Sequence, residues 1–178
     1  ADGYDAALEM ARMYESIGYK TYITSVLQDR GLDCLAGDLK NKVTLLAGNS
    51  GVGKSALLNR LVPTANARTS SISAAHLAGM HTTTFSAMYD LPGGGALIDI
   101  PGVKGFGTFN FEKEEVSHYF REIFKVGRGC RFDNCIHVNE PGCAVLEAVK
   151  KGDIALSRYN SYLNMLDDKE EGKYRSGY

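Results

Sequence analysis

The sequence GNSGVGKS at residues 48–55 decides the fold of this 178-residue chain. It follows an apolar run at 43–47 and precedes a helical pattern that runs from Lys54 to Val62, before Pro63. A short apolar run in this position predicts a buried parallel strand. Glycines at 48, 51 and 53 let the following backbone turn its N–H groups toward a phosphate. The order strand, glycine-rich loop, helix therefore predicts a phosphate-binding loop in an α/β domain.

The two polar residues at the end of this loop have expected partners. Lys54 is placed to reach the β- and γ-phosphates of a nucleotide, and the Ser55 hydroxyl is placed to bind Mg²⁺. The helix that starts near Lys54 adds the positive end of its dipole. The loop residues expected to bind the nucleotide are Asn49, Ser50, Gly51, Val52, Gly53, Lys54, Ser55 and Ala56.

A second motif, DIPG at 99–102, ends a predicted strand at 96–100. That strand is predicted to form a hairpin with residues 83–91 through PGGG at 92–95. Asp99 is expected to help hold Mg²⁺, and the Gly102 amide to sense the γ-phosphate. With the phosphate-binding loop upstream, this motif favours a GTPase over an ATPase.

Between the two motifs, GMHTTT at 79–84 is typical of a switch loop. Either Thr83 or Thr84 would bind the γ-phosphate and supply a hydroxyl to Mg²⁺, Thr83 being the residue assigned to the metal. Spacing alone does not choose between them. A Ser- and Thr-rich loop that is only solvated is the alternative.

The residue after DIPG bears on catalysis. Many GTPases position the attacking water with a Gln there, but this chain has Val103, whose side chain forms no hydrogen bonds. Intrinsic hydrolysis is therefore expected to be slow. His81 is the polar candidate for orienting the water, and it is our predicted catalytic residue.

Four potential metal ligands, Cys130, Cys135, His137 and Cys143, lie within fourteen residues. Three thiolates and one imidazole fill a tetrahedral zinc shell and leave no position for water, so a structural zinc site is predicted. Such a site would stabilise a segment too short to build its own core. Buried free cysteines beside an unrelated histidine are the alternative. The remaining cysteine, Cys34, stands alone.

Outside these motifs, apolar spacing predicts several further elements. They are a helix at 4–17, a strand at 20–25, a helix within 26–39 that breaks at Gly31, a loop at 64–82, and amphipathic helical structure at 144–168. Two domains are predicted, residues 1–112 and residues 113–178.

Composition excludes some classes of protein. The net charge is −1, so any nucleic-acid surface must be local. A basic excess beside the cysteines could contact phosphates, although a solvated face is equally consistent: Arg121, Lys125, Arg128 and Arg131. No apolar run reaches the ~18 residues of a membrane helix, and no signal peptide is evident. A cytoplasmic monomer without membrane contact is expected.

The guanine-reading motif N-K-x-D does not occur in residues 103–178. In GTPases a helix and then a strand normally follow that motif. Here such a pair, at 4–17 and 20–25, precedes the phosphate-binding loop. This order predicts a circular permutation, with the base-reading motif just before residue 1 and a domain truncated at its N-terminus.

Together these motifs resemble the RsgA (YjeQ) family of circularly permuted bacterial GTPases. The matching pieces are GNSGVGKS, GMHTTT, DIPG and the Cys-x4-Cys-x-His-x5-Cys spacing, which ends in EPGCAV at 140–145. The resemblance implies a Rossmann-like GTPase domain followed by a small helical zinc-binding domain. It also implies Mg²⁺-dependent GTP hydrolysis that assists late maturation of the small ribosomal subunit and is stimulated by it, with ribosomal RNA as partner. His81 matches the family's catalytic histidine. The family's N-terminal OB-fold domain is absent from this sequence.

Two other functions fit the same motifs. One is a zinc-bearing RNA-binding module whose nucleotide pocket serves only as a conformational switch. The other is an ATPase. Phosphate release with and without small subunits distinguishes the first from a GTPase, and competition between ATP and GTP distinguishes the second.

Overall fold

The computed structural model describes residues 2–65, 86–100 and 112–171. The chain divides into two compact units. The sheet unit comprises residues 1–11 and 20–104, and the cysteine unit comprises residues 12–19 and 105–178. Helix α1 (Asp2–Ser16) contributes residues to both. The proposed domain boundary at residue 112 stays a prediction.

The sheet unit is built around a three-stranded sheet in the order β1-β3-β2. β1 is parallel to β3 and β2 is antiparallel to it. The part of this unit that the structure describes also contains two short helices in addition to the start of α1. The bounds are α2 (Leu32–Leu39), β1 (Val43–Leu46), α3 (Lys54–Leu61), β2 (Ala87–Asp90) and β3 (Ala96–Asp99).

The predicted hairpin is present where the structure describes it. Leu91 and Gly95 close the turn through an N–H to carbonyl bond of 2.9 Å. Gly94 and Gly95 have φ of 87° and 90°, which is accessible mainly to glycine. A side chain at Gly95 would also collide with the backbone of Lys42. Residues 83–85 of the first predicted strand lie outside the described residues.

Two expectations about strands were wrong. Residues 20–25 form no strand, because the backbone of Ser25 pairs only with Arg30 in an isolated bridge across a turn. Strand β1 is not fully buried, since Val43 is 66% exposed and Leu45 56% exposed. β1 is an edge strand of the described sheet, and Val43 and Leu45 lie on the same, exposed face of it.

The helix predictions are confirmed except at residues 26–30, which were included in the helix predicted within 26–39 but form a turn closed by the Ser25–Arg30 bridge. α2 begins directly after Gly31, whose φ of 69° breaks the chain direction. The helical region after Cys143 consists of two helices, α6 (Ala144–Lys151) and α7 (Leu156–Glu171). Gly152, with φ of 84°, ends α6 by donating its N–H to the carbonyls of Ala148 and Val149.

Each unit has its own buried cluster. In the sheet unit Leu58, Val62 and Leu97 pack α3 against the sheet. The cysteine unit adds α4 (Lys113–Val116), a 3₁₀ turn (Ser117–Tyr119) and α5 (Arg121–Gly127). Its larger cluster has Ile123, Val145 and Tyr162 fully buried at its centre. Among the described helices, none is long and apolar enough to cross a bilayer.

Candidate functional site

The loop at 48–55 leads from the end of β1 into the first turn of α3. Gly51 and Gly53 have φ of 82° and 97°, so both need the freedom of glycine. The Lys54 ammonium donates to the carbonyl oxygens of Gly48 at 2.7 Å and Asn49 at 2.9 Å. Lys54 is therefore folded back along the loop, where its charge faces the same space as the loop backbone.

Several backbone N–H groups of this loop lie at the N-terminal end of α3. Within the described ranges, the N–H groups of residues 49–53 donate to no carbonyl. Gly53 directly precedes α3 and carries no side-chain cap. Uncapped amides at a helix N-terminus, beside a lysine, form a site for an anion. That these amides face a bound phosphate stays a prediction.

Asp99 lies at the carboxyl end of β3, in register with Leu46, where β1 ends and the loop begins. It is only 3% exposed, and its Oδ1 is the one buried side-chain oxygen without a hydrogen-bond partner among the described residues. Burial raises the pKa of Asp99, while the positive charge of Lys54 acts in the opposite direction. An unpartnered buried carboxylate oxygen is costly. A cation or its bound water would satisfy it, so Asp99 fits the predicted Mg²⁺ shell.

Four further residues of the predicted nucleotide site belong to the switch segments. His81, Thr83, Thr84 and Gly102 lie outside the described residues. Ser55, the other predicted Mg²⁺ ligand, is half-buried in the first turn of α3.

The four predicted metal ligands come together in the cysteine unit. The Sγ atoms of Cys130, Cys135 and Cys143 and a ring nitrogen of His137 all lie within 4.8 Å of one another. The Sγ atoms of Cys130 and Cys143 are 3.8 Å apart, and each lies 3.5 Å from Nδ1 of His137. Four ligand atoms this close, with a zinc–sulfur bond of about 2.3 Å, suit a tetrahedral ion. The cluster can therefore hold a metal ion.

Burial affects the charge state of these ligands. It raises the pKa of the Cys135 thiol to about 12 and raises that of Cys143 as well. It lowers the pKa of His137, so its imidazole is neutral and able to bind a metal. A metal bound here would displace thiol protons, which couples its binding to pH.

The loop that carries His137 is held by a carboxylate. Glu140 accepts backbone N–H bonds from Ile136 at 2.7 Å, Val138 at 2.8 Å and Asn139 at 3.0 Å. Burial acts to raise the pKa of Glu140, but these backbone donors outweigh it and lower the pKa. Glu140 therefore stays ionised and fixes the backbone on both sides of His137.

Two tyrosines of α7 hold the same loop from the core. The Tyr159 hydroxyl donates to the His137 carbonyl at 2.8 Å, and the Tyr162 hydroxyl donates to the Ile136 carbonyl at 2.6 Å. His137 has φ of 60°, an unusual conformation for a non-glycine residue. These contacts stabilise that conformation, which aims the imidazole at the three thiols.

Sequence reasoning identified the ligands but missed these supports. Glu140 lies between the ligands His137 and Cys143 in a short loop, so its position in the sequence could have indicated a role in holding that loop. Tyr159 and Tyr162 are some twenty residues from the loop along the chain and gave no local signal. Their role depends on how α7 packs.

Known proteins are similar to this chain over most of its length. The model of the family described as RsgA GTPase matches residues 2–109. The small ribosomal subunit biogenesis GTPase RsgA of Phocaeicola vulgatus is 56% identical over 169 residues, which cover 95% of this chain and 54% of that protein. The chain therefore spans about half the length of the curated relatives it matches.

Two solved structures are similar to the chain. The crystal structure of YjeQ from Thermotoga maritima has a TM-score of 0.76 and 36% identity, covering 94% of this chain and 54% of that one. The crystal structure of YloQ, described as a circularly permuted GTPase, has a TM-score of 0.71 and 31% identity, covering 99% and 54%. The predicted fold class, including its permuted order of elements, is confirmed. With its phosphate-binding loop, buried Asp99 and cluster of three cysteines and one histidine, this chain belongs to the RsgA GTPase family.

Proposed function

We propose that this chain is the catalytic part of a Mg²⁺-dependent GTPase that assists late maturation of the small ribosomal subunit and is stimulated by that subunit. The family match and the names of the relatives support this function. GTP and GDP would bind through residues 49–56, a proposal supported by loop amides that donate to no carbonyl among the described residues. Partnership with ribosomal RNA, a cytoplasmic location and a monomeric state belong to the same proposal.

The observation that carries the proposal is the position of Asp99. Its unpartnered oxygen lies at the sheet edge from which the phosphate-binding loop departs, the place where P-loop proteins hold the metal. Ser55, Asp99 and Thr83 would hold Mg²⁺, which when bound would neutralise charge on the phosphate oxygens. Lys54 and the loop amides would bind and orient the β- and γ-phosphates.

Catalysis would depend on residues around the switch. His81 would orient the attacking water, since Val103 cannot. Thr83 or Thr84 would close on the γ-phosphate, and the Gly102 amide would sense it.

We further propose that the metal of the cysteine unit is a structural Zn²⁺. The donor set of three thiols and one imidazole and the 3.8 Å sulfur–sulfur distance suit zinc. Cys130, Cys135, His137 and Cys143 would fill all four positions of a tetrahedral shell, so the ion would serve structure rather than catalysis.

The test is GTP turnover by the full chain with and without purified small subunits. We expect slow release of phosphate alone and faster release with subunits. Lys54→Ala should abolish nucleotide binding, whereas His81→Ala should spare binding and lower stimulated turnover. Lys40→Ala is the matched control, since Lys40 is an exposed lysine that lies before β1 rather than after it.

Two results would contradict the proposal. Unchanged phosphate release upon addition of subunits would favour a switch that does not turn over. Equal losses of binding in the Lys54 and His81 variants would remove His81 from its catalytic role.

A further inference from the structure

A cleft of about 200 Å³ opens on the surface of the cysteine unit, and two of the metal ligands, Cys135 and His137, form part of its lining. We call it the aromatic cleft and define it by six of its lining residues: His118, Phe124, Arg128, Phe132, Asp133 and Asn134. Neither the phosphate-binding loop nor the metal cluster accounts for these side chains.

Two phenylalanines line this cleft and remain accessible. Phe124 is 38% exposed and Phe132 is 41% exposed. The hydrophobic effect favours burial of such rings, so their exposure in a cleft is a common mark of a binding site. The volume lies below the ~300–1,000 Å³ of sites for drug-sized ligands. The aromatic cleft therefore suits a single planar ring rather than a whole metabolite.

Positive charge surrounds the two rings. The guanidinium of Arg128 lies 5.1 Å from the centre of the Phe124 ring, and that of Arg131 lies 5.4 Å from the centre of the Phe132 ring. Lys125 is exposed on the same helix as Phe124. Among the described residues, these three cations, here called the basic cluster, form no ion pair.

The charge balance of this segment differs from that of the whole chain. Residues 124–134 hold Lys125, Arg128 and Arg131 against Asp133, a net charge of +2 from three positive and one negative residue, whereas the chain carries −1. Glu114 also lines the cleft and partly offsets this excess. Cations next to exposed aromatic rings are the pattern that binds single-stranded nucleic acid, through stacked bases and neutralised phosphates.

We propose that the aromatic cleft binds an unpaired nucleotide of RNA. Its base stacks against Phe124 and Phe132, and the flanking phosphates lie against the basic cluster. Asp133, Asn134 and His118 supply hydrogen-bonding groups for the base edge. This inference rests on the proposed ribosomal partner, because a folded RNA presents such bases in its loops and bulges.

The chain contains no Trp, which allows a direct probe. In Phe132→Trp, the single indole keeps a stacking surface and reports contact with a base through fluorescence quenching. The full chain, loaded with Zn²⁺, is titrated with a single-stranded RNA of about ten nucleotides and with the matching duplex. We expect quenching by the single strand and far less by the duplex.

Further variants separate stacking from charge. Phe132→Leu should weaken binding of the single strand by about 5- to 150-fold without changing the salt dependence. Lys125→Gln should reduce the slope of log affinity against log salt by about 0.7. Leu156→Ala and Lys150→Ala are the controls, since both residues are exposed in the cysteine unit and neither lines the cleft. Metal content and circular dichroism must match the parent chain.

Several outcomes would overturn the inference. These are absent quenching, equal quenching by duplex and single strand, or a Phe132→Leu affinity within twofold of the parent. Stronger quenching by an acidic peptide than by RNA would also overturn it. GTP binding is measured on the same samples and reports on the phosphate-binding loop alone. Loss of RNA binding with normal GTP binding would therefore contradict the cleft proposal without contradicting the proposed GTPase.

Discussion

The phosphate-binding loop and the cysteine cluster are two sites made in different ways. The loop would bind its ligand mainly through backbone amides. The residue types that it requires are glycines, which allow the turn, and the side chains of Lys54 and Ser55. The cysteine cluster presents side chains, and its ligands depend on a loop held by Glu140 and by two tyrosines of α7. The phosphate-binding loop is therefore local in sequence, and only the proposed Mg²⁺ shell adds a distant residue, Asp99. The cysteine cluster, in contrast, depends for its support on residues far along the chain.

The buried clusters of the two units also differ, in the number of residues that they contain. The described part of the sheet unit buries Leu58, Val62 and Leu97 as its cluster, whereas the cluster of the cysteine unit holds ten buried residues. The phosphate-binding loop binds its ligand through backbone groups and rests on a small described core. We therefore expect bound nucleotide to contribute much of the stability of that loop. A site built on side chains needs a packed core, and its metal and core should stabilise each other.

The largest expected effect is loss of a metal ligand. Cys143→Ser removes a ligand that is 3% exposed and also caps α6 through the Leu146 N–H. Zinc content should fall from one ion per chain to near zero, and the cysteine unit should unfold, since structural zinc supplies ~10–16 kcal/mol of folding free energy in small domains.

Cys34→Ser is the matched control, because Cys34 is exposed and outside the cluster. Metal analysis and thermal unfolding measure both variants. Full zinc content in Cys143→Ser would contradict the assigned ligand set. Loss of GTP binding in that variant would show that the two sites are not independent.

A second contrast sets a buried ion pair against an exposed one. In the cysteine unit Arg158 donates to Glu122 at 2.6 Å, with side chains 12% and 7% exposed. In the sheet unit Arg60 donates to Asp29 at 2.7 Å, with side chains 46% and 66% exposed. Arg158→Met should lower the free energy of unfolding of the cysteine unit by about 3–5 kcal/mol, because it leaves Glu122 buried and unpaired.

The exposed pair should contribute far less. Arg60→Met should change stability by about 0–1 kcal/mol, because solvent screens that pair. Both effects are measured by urea unfolding. Metal release reports unfolding of the cysteine unit in Arg158→Met, and loss of nucleotide binding reports unfolding of the sheet unit in Arg60→Met. Equal changes would show that burial does not decide the strength of these pairs.

A smaller effect is expected at the support of the metal loop. Glu140→Gln keeps the size of the side chain but replaces an acceptor oxygen with an amide that faces backbone donors. Metal affinity should fall about 10- to 100-fold, as is usual for groups that orient ligands. Competition with a chelator measures it.

Glu147→Gln makes the same chemical change on the exposed face of α6, where Glu147 pairs loosely with Lys151 at 3.9 Å. It should leave metal affinity unchanged. If both variants behaved alike, Glu140 would have no role in holding the ligand loop.

The sequence predicted the parts of both sites that depend on local spacing. The strand, loop and helix order around residues 48–55 is present, and the four predicted metal ligands lie within 4.8 Å of one another, because each set lies within one short segment. The strand predicted at 43–47 is parallel to a neighbour, as expected. Residues 20–25 were misassigned because strand propensity does not guarantee a partner for the backbone. The exposure of Val43 and Leu45 depends on which helices cover the sheet, which composition does not reveal.

The residues that hold the metal loop were not predicted from the sequence, for a related reason. Tyr159 and Tyr162 match a helical apolar pattern, and nothing in that pattern shows that their hydroxyls donate to carbonyls near His137. The division of residues 144–168 into two helices could have been predicted from Gly152, because a glycine within an apolar helical pattern commonly ends a helix. Hydrogen bonds between distant segments require the tertiary structure.

The central claim is that loop amides and Asp99 together bind a polyphosphate with Mg²⁺. Calorimetric titration of the full chain with GTP, once with Mg²⁺ and once with a chelator, tests it directly. We predict tighter binding with Mg²⁺, loss of that difference in Asp99→Asn, and retention of it in Asp90→Asn, an exposed residue at the other end of the hairpin. Failure of the parent chain to bind GTP, or an undiminished Mg²⁺ effect in Asp99→Asn, would contradict the claim.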